Sequence, residues 1–177
     1  MPTIDPKKSL LLVIDFQSRL MPAIHDGETA IRNAGRLIEA AKLIEVPYLF
    51  TEQNPKGLGP TVEELPVEPD RVVEKQFFDV CREAGFFDRI PTDAHVVVVG
   101  CEAHVCVLQT VLSLRDAGRT TYVVADAVSS RTPANKEAGL RRMAQHGAEI
   151  VTTEMVVFEW LQTARHPQFR AAARLIK

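Results

Sequence analysis

The sequence predicts a three-layer α/β fold on a parallel sheet, and three observations carry that expectation. Short β-branched runs alternate with longer amphipathic stretches along the 177-residue chain, the pattern of repeated βα units joined by right-handed crossovers. The short runs are apolar throughout, as strands buried on both faces are. The composition, 46% hydrophobic and 25% charged, is that of an ordinary globular protein able to fill a sizeable core.

Ser9 to Asp15 (SLLLVID) is the first strand, a continuous apolar run ending on a carboxylate. Glu28 to Glu45 follows as a helix, because Ile31, Ala34, Leu37, Ile38, Ala41 and Ile44 recur at spacings of three and four and form one stripe. Val46 to Thr51 (VPYLFT) is the second strand, with Pro47 near its start, where a missing N–H does least harm. Gln53 to Asp70 carries Pro55, Pro60, Pro66 and Pro69 and is expected to be a long loop, of the kind that often serves function. Arg71 to Val73 adds a short third strand. His95 to Gly100 (HVVVVG), Thr120 to Asp126 (TTYVVAD) and Glu149 to Thr152 (EIVT) complete the set. Two further helices are expected: Val105 to Ala117, ending at Gly118, and Pro133 to His146, with proline in its first turn and Gly147 just past its end. No linker or repeat interrupts residues 1–177, so one domain is expected.

Charge narrows the function classes. Lys plus Arg number 21 against 23 Asp plus Glu, a net charge of −2, so nucleic acid is not an expected partner. No apolar run approaches the roughly 18 residues of a membrane span. The opening MPTIDPKKS is too short and polar to read as a signal peptide. Three cysteines without framework spacing fit reduced thiols and a cytoplasmic location.

Ligands of open α/β sheets collect at the carboxyl ends of the strands. The residues there are Asp15, Thr51 to Gln53, Glu74 and Lys75, Cys101 to Cys106, and Asp126: an acid, an amine and a thiol in separate crossover regions. Cys106, in GCEAHVCVLQT, falls where a strand gives way to a helix, and a helix N-terminus lowers a thiol's pKa and makes it a nucleophile without a metal. Its neighbours Val105 and Val107 equally suit a buried structural cysteine. Cys101 ends a buried run, and Cys81 lies in a helical segment. Asp15 is a ligand, a general base or a cap; Lys75, ahead of Phe77 and Phe78, would ordinarily be solvated. His25, His95, His104, His146 and His166 are scattered without metal-ligand spacing, so no metal is expected. Gly57-Leu58-Gly59 runs into Pro60 rather than a dinucleotide fingerprint, so no cofactor is expected either.

LLLVIDFQ, EKQFFD and VVVVGCEAHVCVLQTVLSL, in that order over nearly the whole chain, resemble the segments bearing the catalytic Asp, Lys and nucleophilic Cys of the isochorismatase-like cysteine hydrolases. TEQNPKGLGPTVEEL, VSSR and HPQF are most similar to the isochorismatase-domain-containing proteins. The resemblance implies a Rossmann-like open sheet of strand order 3-2-1-4-5-6, a triad of Asp15, Lys75 and Cys106, a cis peptide at Cys101–Glu102, and an oxyanion hole from the backbone N–H groups of Glu102 and Cys106. The expected hole uses the Glu102 backbone; its side chain, if it points outward, is no more than a surface group. Nicotinamidases of this superfamily carry a metal-binding Asp and two His where this chain has TEQNPKGLGPT, without histidine. True isochorismatases often have Gly at the nucleophile position, so Cys106 points to amide or related acyl chemistry. Phe16, Gln17, Gln53, Asn54, Phe77 and Phe78 flank the expected site as pocket candidates.

The leading expectation is thus a metal-independent cysteine hydrolase of a small amide or carbamoyl compound, acting through a thioester and assembled as a homo-oligomer. Two alternatives remain open at this point. One is a thiol-redox protein using Cys101 and Cys106, five residues apart. The other is a non-catalytic scaffold whose segment MVVFEWLQTARHPQF makes a subunit contact rather than docking a final helix.

Overall fold

The computed structural model describes residues 3–177. Six strands, β1 (Ser9–Ile14), β2 (Tyr48–Gln53), β3 (Val72–Lys75), β4 (His95–Cys101), β5 (Thr121–Ser129) and β6 (Glu149–Val151), form one sheet in the order β3-β2-β1-β4-β5-β6. Every pairing is parallel. The expected fold class and strand order are met.

Strand alternation divides the core in two. Leu11, Val13, Val97 and Val99 face α1 (Gly27–Ile44), α5 (Thr153–Leu161) and α6 (Phe169–Leu175). Leu10, Leu12, Ile14, Val96 and Val98 face α3 (Leu108–Asp116) and α4 (Pro133–Gln145). Each such buried side chain stabilises the fold by roughly 1.5–3 kcal/mol. The α1 stripe behaves as its spacing requires: Ala34, Leu37, Ile38 and Ala41 are fully buried, and Ile31 and Ile44 pack at its margin. Trp160 and Leu161 dock α5 into the first core, and the Trp160 indole N–H donates to Ser9 Oγ at 3.0 Å. Phe158, by contrast, stays exposed.

Several boundaries differ from the sequence expectation. β2 begins after Pro47 and runs on to Gln53, because β3 pairs with it as far as Gln53–Lys75. β5 continues past Asp126 to Ser129 across a register shift opposite Val98 and Gly100. Asp126 is therefore not a strand-end group; its Oδ1 accepts from the Thr153 N–H and hydroxyl and ties down the start of α5. The segment after Gln53 is less irregular than its prolines suggest, since Pro55–Leu58 forms a short helix, α2, and Thr61 pairs with Gln17. Cys81 lies in a 3-10 turn, Val80–Arg82, rather than a helix.

Gly100, near the end of β4, has φ +142°, and a Cβ there would fall 2.7 Å from Ile14 Cβ and against the Ile14 carbonyl oxygen. The two central strands can approach this closely only because that side chain is missing. Their carboxyl ends mark the point where the connections reverse direction across the sheet, the place where open α/β sheets bind ligands.

Candidate active site

Each of the three reactive groups comes from a different strand end. Asp15 follows β1 with φ +52°, a left-handed conformation that Asp tolerates better than most residues. Its backbone N–H donates to the Thr51 carbonyl, and its Oδ1 accepts from the Thr51 hydroxyl at 2.6 Å. Lys75 closes β3, and its Nζ lies 2.7 Å from Asp15 Oδ2 with both side chains wholly buried. The same ammonium donates to Gln53 Oε1 at 2.8 Å and to the carbonyls of Phe78 at 3.1 Å and Phe77 at 3.3 Å. Lys75 is thus not solvated. Asp15 Oδ2 keeps its ion pair but has no hydrogen-bond partner along its lone-pair direction.

Cys106 interacts with both Asp15 and Lys75. Its position corrects one expectation: it lies within a π-helical turn, Ala103–Val107, that precedes α3, and not at an α-helical N-terminus. The thiol is accordingly not acidified. Burial pushes its pKa up, the Asp15 charge and hydrogen bond push it further, and Lys75 opposes them without prevailing. Burial also raises the Asp15 carboxyl, against the pull of Lys75, Thr51 and the thiol. Burial thus disfavours charge on both the thiol and the Asp15 carboxyl, and Lys75 pulls each the other way.

Glu102 is not a surface residue. Its peptide bond to Cys101 is cis, its side chain is buried, and its carboxylate takes Arg131 in a fork, with Nη2 to Oε1 at 2.7 Å and Nε to Oε2 at 3.0 Å. Oε2 also accepts the Arg131 backbone N–H. Burial would raise this carboxyl, but the Arg131 bonds and charge more than offset it and hold it below the usual carboxylate range. The pair fastens the β5–α4 connection to the turn that carries Cys106. Gly139 of α4 completes the support: a Cβ there would meet Ala103 O at 2.8 Å and His104 Cα at 3.1 Å, so the helix packs directly on the turn's backbone.

The pocket candidates separate into three groups. Phe16 is buried in the α1-side core and faces no opening. Gln17 is also fully buried, and its amide is consumed in holding the chain: Nε2 donates to Gly59 O at 2.7 Å and Gln53 O at 3.0 Å, and Oε1 accepts from the Gln53 N–H. Replacing Gln17 by leucine is expected to lower stability by about 2–3 kcal/mol through the unsatisfied backbone groups it leaves, read as a shift in the urea midpoint. Gln53 reaches the site as an acceptor for Lys75. Asn54 is exposed at the start of α2, and the Phe77 and Phe78 rings stand half exposed just past Lys75. Sequence reasoning missed Thr51 as a partner of Asp15, Arg131 as the partner of Glu102, and Gly139; Thr51 carried a signal in its place at a strand end and Arg131 in the VSSR segment, and Gly139 carried none.

Cys101 and Cys106 lie in the cores on opposite faces of the sheet, and both are free. Among the described residues no group of three His, Cys, Asp or Glu side chains is arranged to hold a metal ion. No helix among them is long and apolar enough to cross a membrane. A cleft of about 910 Å³ between Met21, Ile31 and Val62 includes none of Asp15, Lys75 and Cys106.

A parallel α/β sheet with an acid, an amine and a thiol meeting where its topology reverses defines an isochorismatase-like hydrolase fold. Residues 9–155 match the Isochorismatase domain, and the chain belongs to that family. The human isochorismatase domain-containing protein 2 is 38% identical over 173 residues, covering 97% of this chain and 84% of its own. A MAR1 ribonuclease structure from Caenorhabditis elegans is 35% identical, with TM-score 0.91 over 98% of this chain and 92% of that one. The YcaC product of Escherichia coli, described as an octameric hydrolase of unknown specificity, shares the fold at 23% identity and TM-score 0.88, over 99% of this chain and 90% of its own.

Proposed function

We propose that the protein is a metal-independent cysteine hydrolase of small amide, carbamoyl or related acyl compounds, with Asp15, Lys75 and Cys106 as its catalytic groups. One observation carries this: a buried lysine 2.7 Å from a buried aspartate, with a thiol near enough to feel both charges, at the strand ends. Burying an ion pair stabilises a fold poorly, so its position beside a thiol favours a chemical role.

Asp15 removes the Cys106 proton as Sγ attacks the carbonyl carbon, and Lys75 stabilises the sulfur's developing charge. The backbone N–H groups of Glu102 and Cys106 hold the tetrahedral oxyanion; each such donor is worth roughly 3–4 kcal/mol in acyl transfer. The Glu102 N–H has no backbone partner among the described residues, which suits that role. Collapse breaks the C–N bond, and the proton on Asp15 goes to the departing nitrogen. Asp15 then takes a proton from water, whose oxygen attacks the thioester. Release of the acid returns that proton to the sulfur, so the enzyme ends as it began.

The ribonuclease activity named for the worm protein is not carried over, since this chain's 21 basic and 23 acidic residues lack an excess of positive charge for phosphates. Hydrolysis is tested by following ammonia release from a panel of small amides, carbamates and ureides, with and without chelator. Cys106→Ala is expected to lose activity by at least about a thousandfold, whereas Cys101→Ala, whose sulfur lies in the opposite core, retains it. Equal activity in wild type and Cys106→Ala removes the proposal, and chelator sensitivity removes its metal-independent part.

A further inference from the structure

The VSSR segment, Val128 to Arg131, takes no part in the reaction described above, yet it holds the turn that carries Cys106. β4 and β5 are in register at Cys101 and Ser129, so Glu102 and Ser130 leave the sheet side by side. Arg131 grips the Glu102 carboxylate three times: Nη2 donates to Oε1 at 2.7 Å, Nε to Oε2 at 3.0 Å, and the backbone N–H to Oε2 at 2.9 Å. Ser130, wholly buried, sets its Oγ 3.0 Å from His104 Nδ1. Between those two anchors, Gly139 packs directly on the Ala103 backbone.

Stability alone does not call for this arrangement. The Glu102 side chain is 6% exposed and that of Arg131 60%. Burying a carboxylate against a largely solvated partner gains little, because desolvation cancels much of the attraction. What the planar fork does supply is orientation, since a carboxylate held at both oxygens cannot turn. The residue held in this way is the one whose backbone N–H is assigned to the oxyanion. Arg131 also offsets the Glu102 charge, which unpaired would oppose a second negative charge forming at the same residue.

We propose that Arg131 is a positioning residue: acting through the Glu102 carboxylate, it holds the Glu102 peptide N–H where the tetrahedral oxyanion forms. This rests on the hydrolase reading and adds to it a residue that touches neither the thiol nor the substrate.

The test is steady-state kinetics on the fastest amide of the ammonia-release panel, with the melting temperature of each variant measured alongside. Arg131→Lys keeps the charge and loses the fork, and kcat is expected to fall about tenfold. Arg131→Met loses both, and kcat is expected to fall about a hundredfold, the scale of one missing oxyanion donor. KM is expected to stay within about twofold in each. Arg131→Met also strands the buried carboxylate and melts lower. The double variant Glu102→Gln/Arg131→Met removes that charge; it is expected to melt near the wild type with kcat still at least about tenfold down.

Recovery of kcat together with the melting temperature in the double variant reduces the pair to a structural contact and overturns the proposal. A rise in KM at unchanged kcat places Arg131 on the substrate and overturns it too. Wild-type kcat in either single variant overturns it while leaving the hydrolase reading intact. A wild type inactive on the whole panel, or matched by Cys106→Ala, removes that reading and this inference with it.

Discussion

Lys75→Met is expected to destabilise the protein by about 3–5 kcal/mol at neutral pH and to abolish activity, because it strands the Asp15 carboxylate in the core without its counter-ion. Methionine fills the space of the lysine stem, so the loss is electrostatic rather than a cavity effect. The pH dependence gives the sign. Burial already raises Asp15, and losing Lys75 removes the main force opposing it. A carboxyl raised in the folded state stabilises it fully only below its unfolded value, and that stability drains away as pH climbs through the folded value. The variant is therefore expected to melt higher at about pH 4 than at about pH 7. The double variant Lys75→Met/Asp15→Asn is expected to recover most of the lost stability and none of the activity. Calorimetry across that range reads both effects, and a variant whose melting temperature rises with pH contradicts the buried-pair account.

Gly100→Ala is the second large effect, expected to cost about 3 kcal/mol or more. Two penalties combine: a φ of +142° that an L side chain rarely adopts, and a Cβ forced against Ile14. The damage is local to the chemistry, because Ile14 precedes Asp15 and Gly100 precedes the peptide that leads to the Cys106 turn. Gly118→Ala is the control, with positive φ but nothing within 4 Å of the new methyl; it is expected to cost about 1 kcal/mol and to leave kcat unchanged. Equal losses in the two variants contradict the close approach of β1 and β4.

The fold was legible because its signals are local. Uninterrupted apolar runs, the α1 stripe, and the glycines after α3 and α4 are read from neighbouring residues, and the strand order followed from the family resemblance. The reactive trio was legible for a related reason: three chemically distinct groups stand at strand ends, and a parallel sheet gathers its strand ends at one edge. What failed depends on contacts distant in sequence. Nothing near Gln17 announces that its amide will clamp Gln53 and Gly59, and nothing near Glu102 announces Arg131, 29 residues away. The thiol's acidity was misjudged because helix position is visible in a sequence and desolvation is not. Extra residues of β5 were hidden because polar Asp126 looks like an ending, although its carboxylate is spent on the start of α5.

β3 has one further consequence. It is four residues long, half-buried over most of its length, and bonded on one side only, yet it delivers the ammonium on which the reactive cluster depends. Edge elements of this kind breathe with smaller free energies than the central strands they border. Such an excursion would part Lys75 from Asp15 while both cores stayed closed, so the ion pair is expected to be lost well before the fold is.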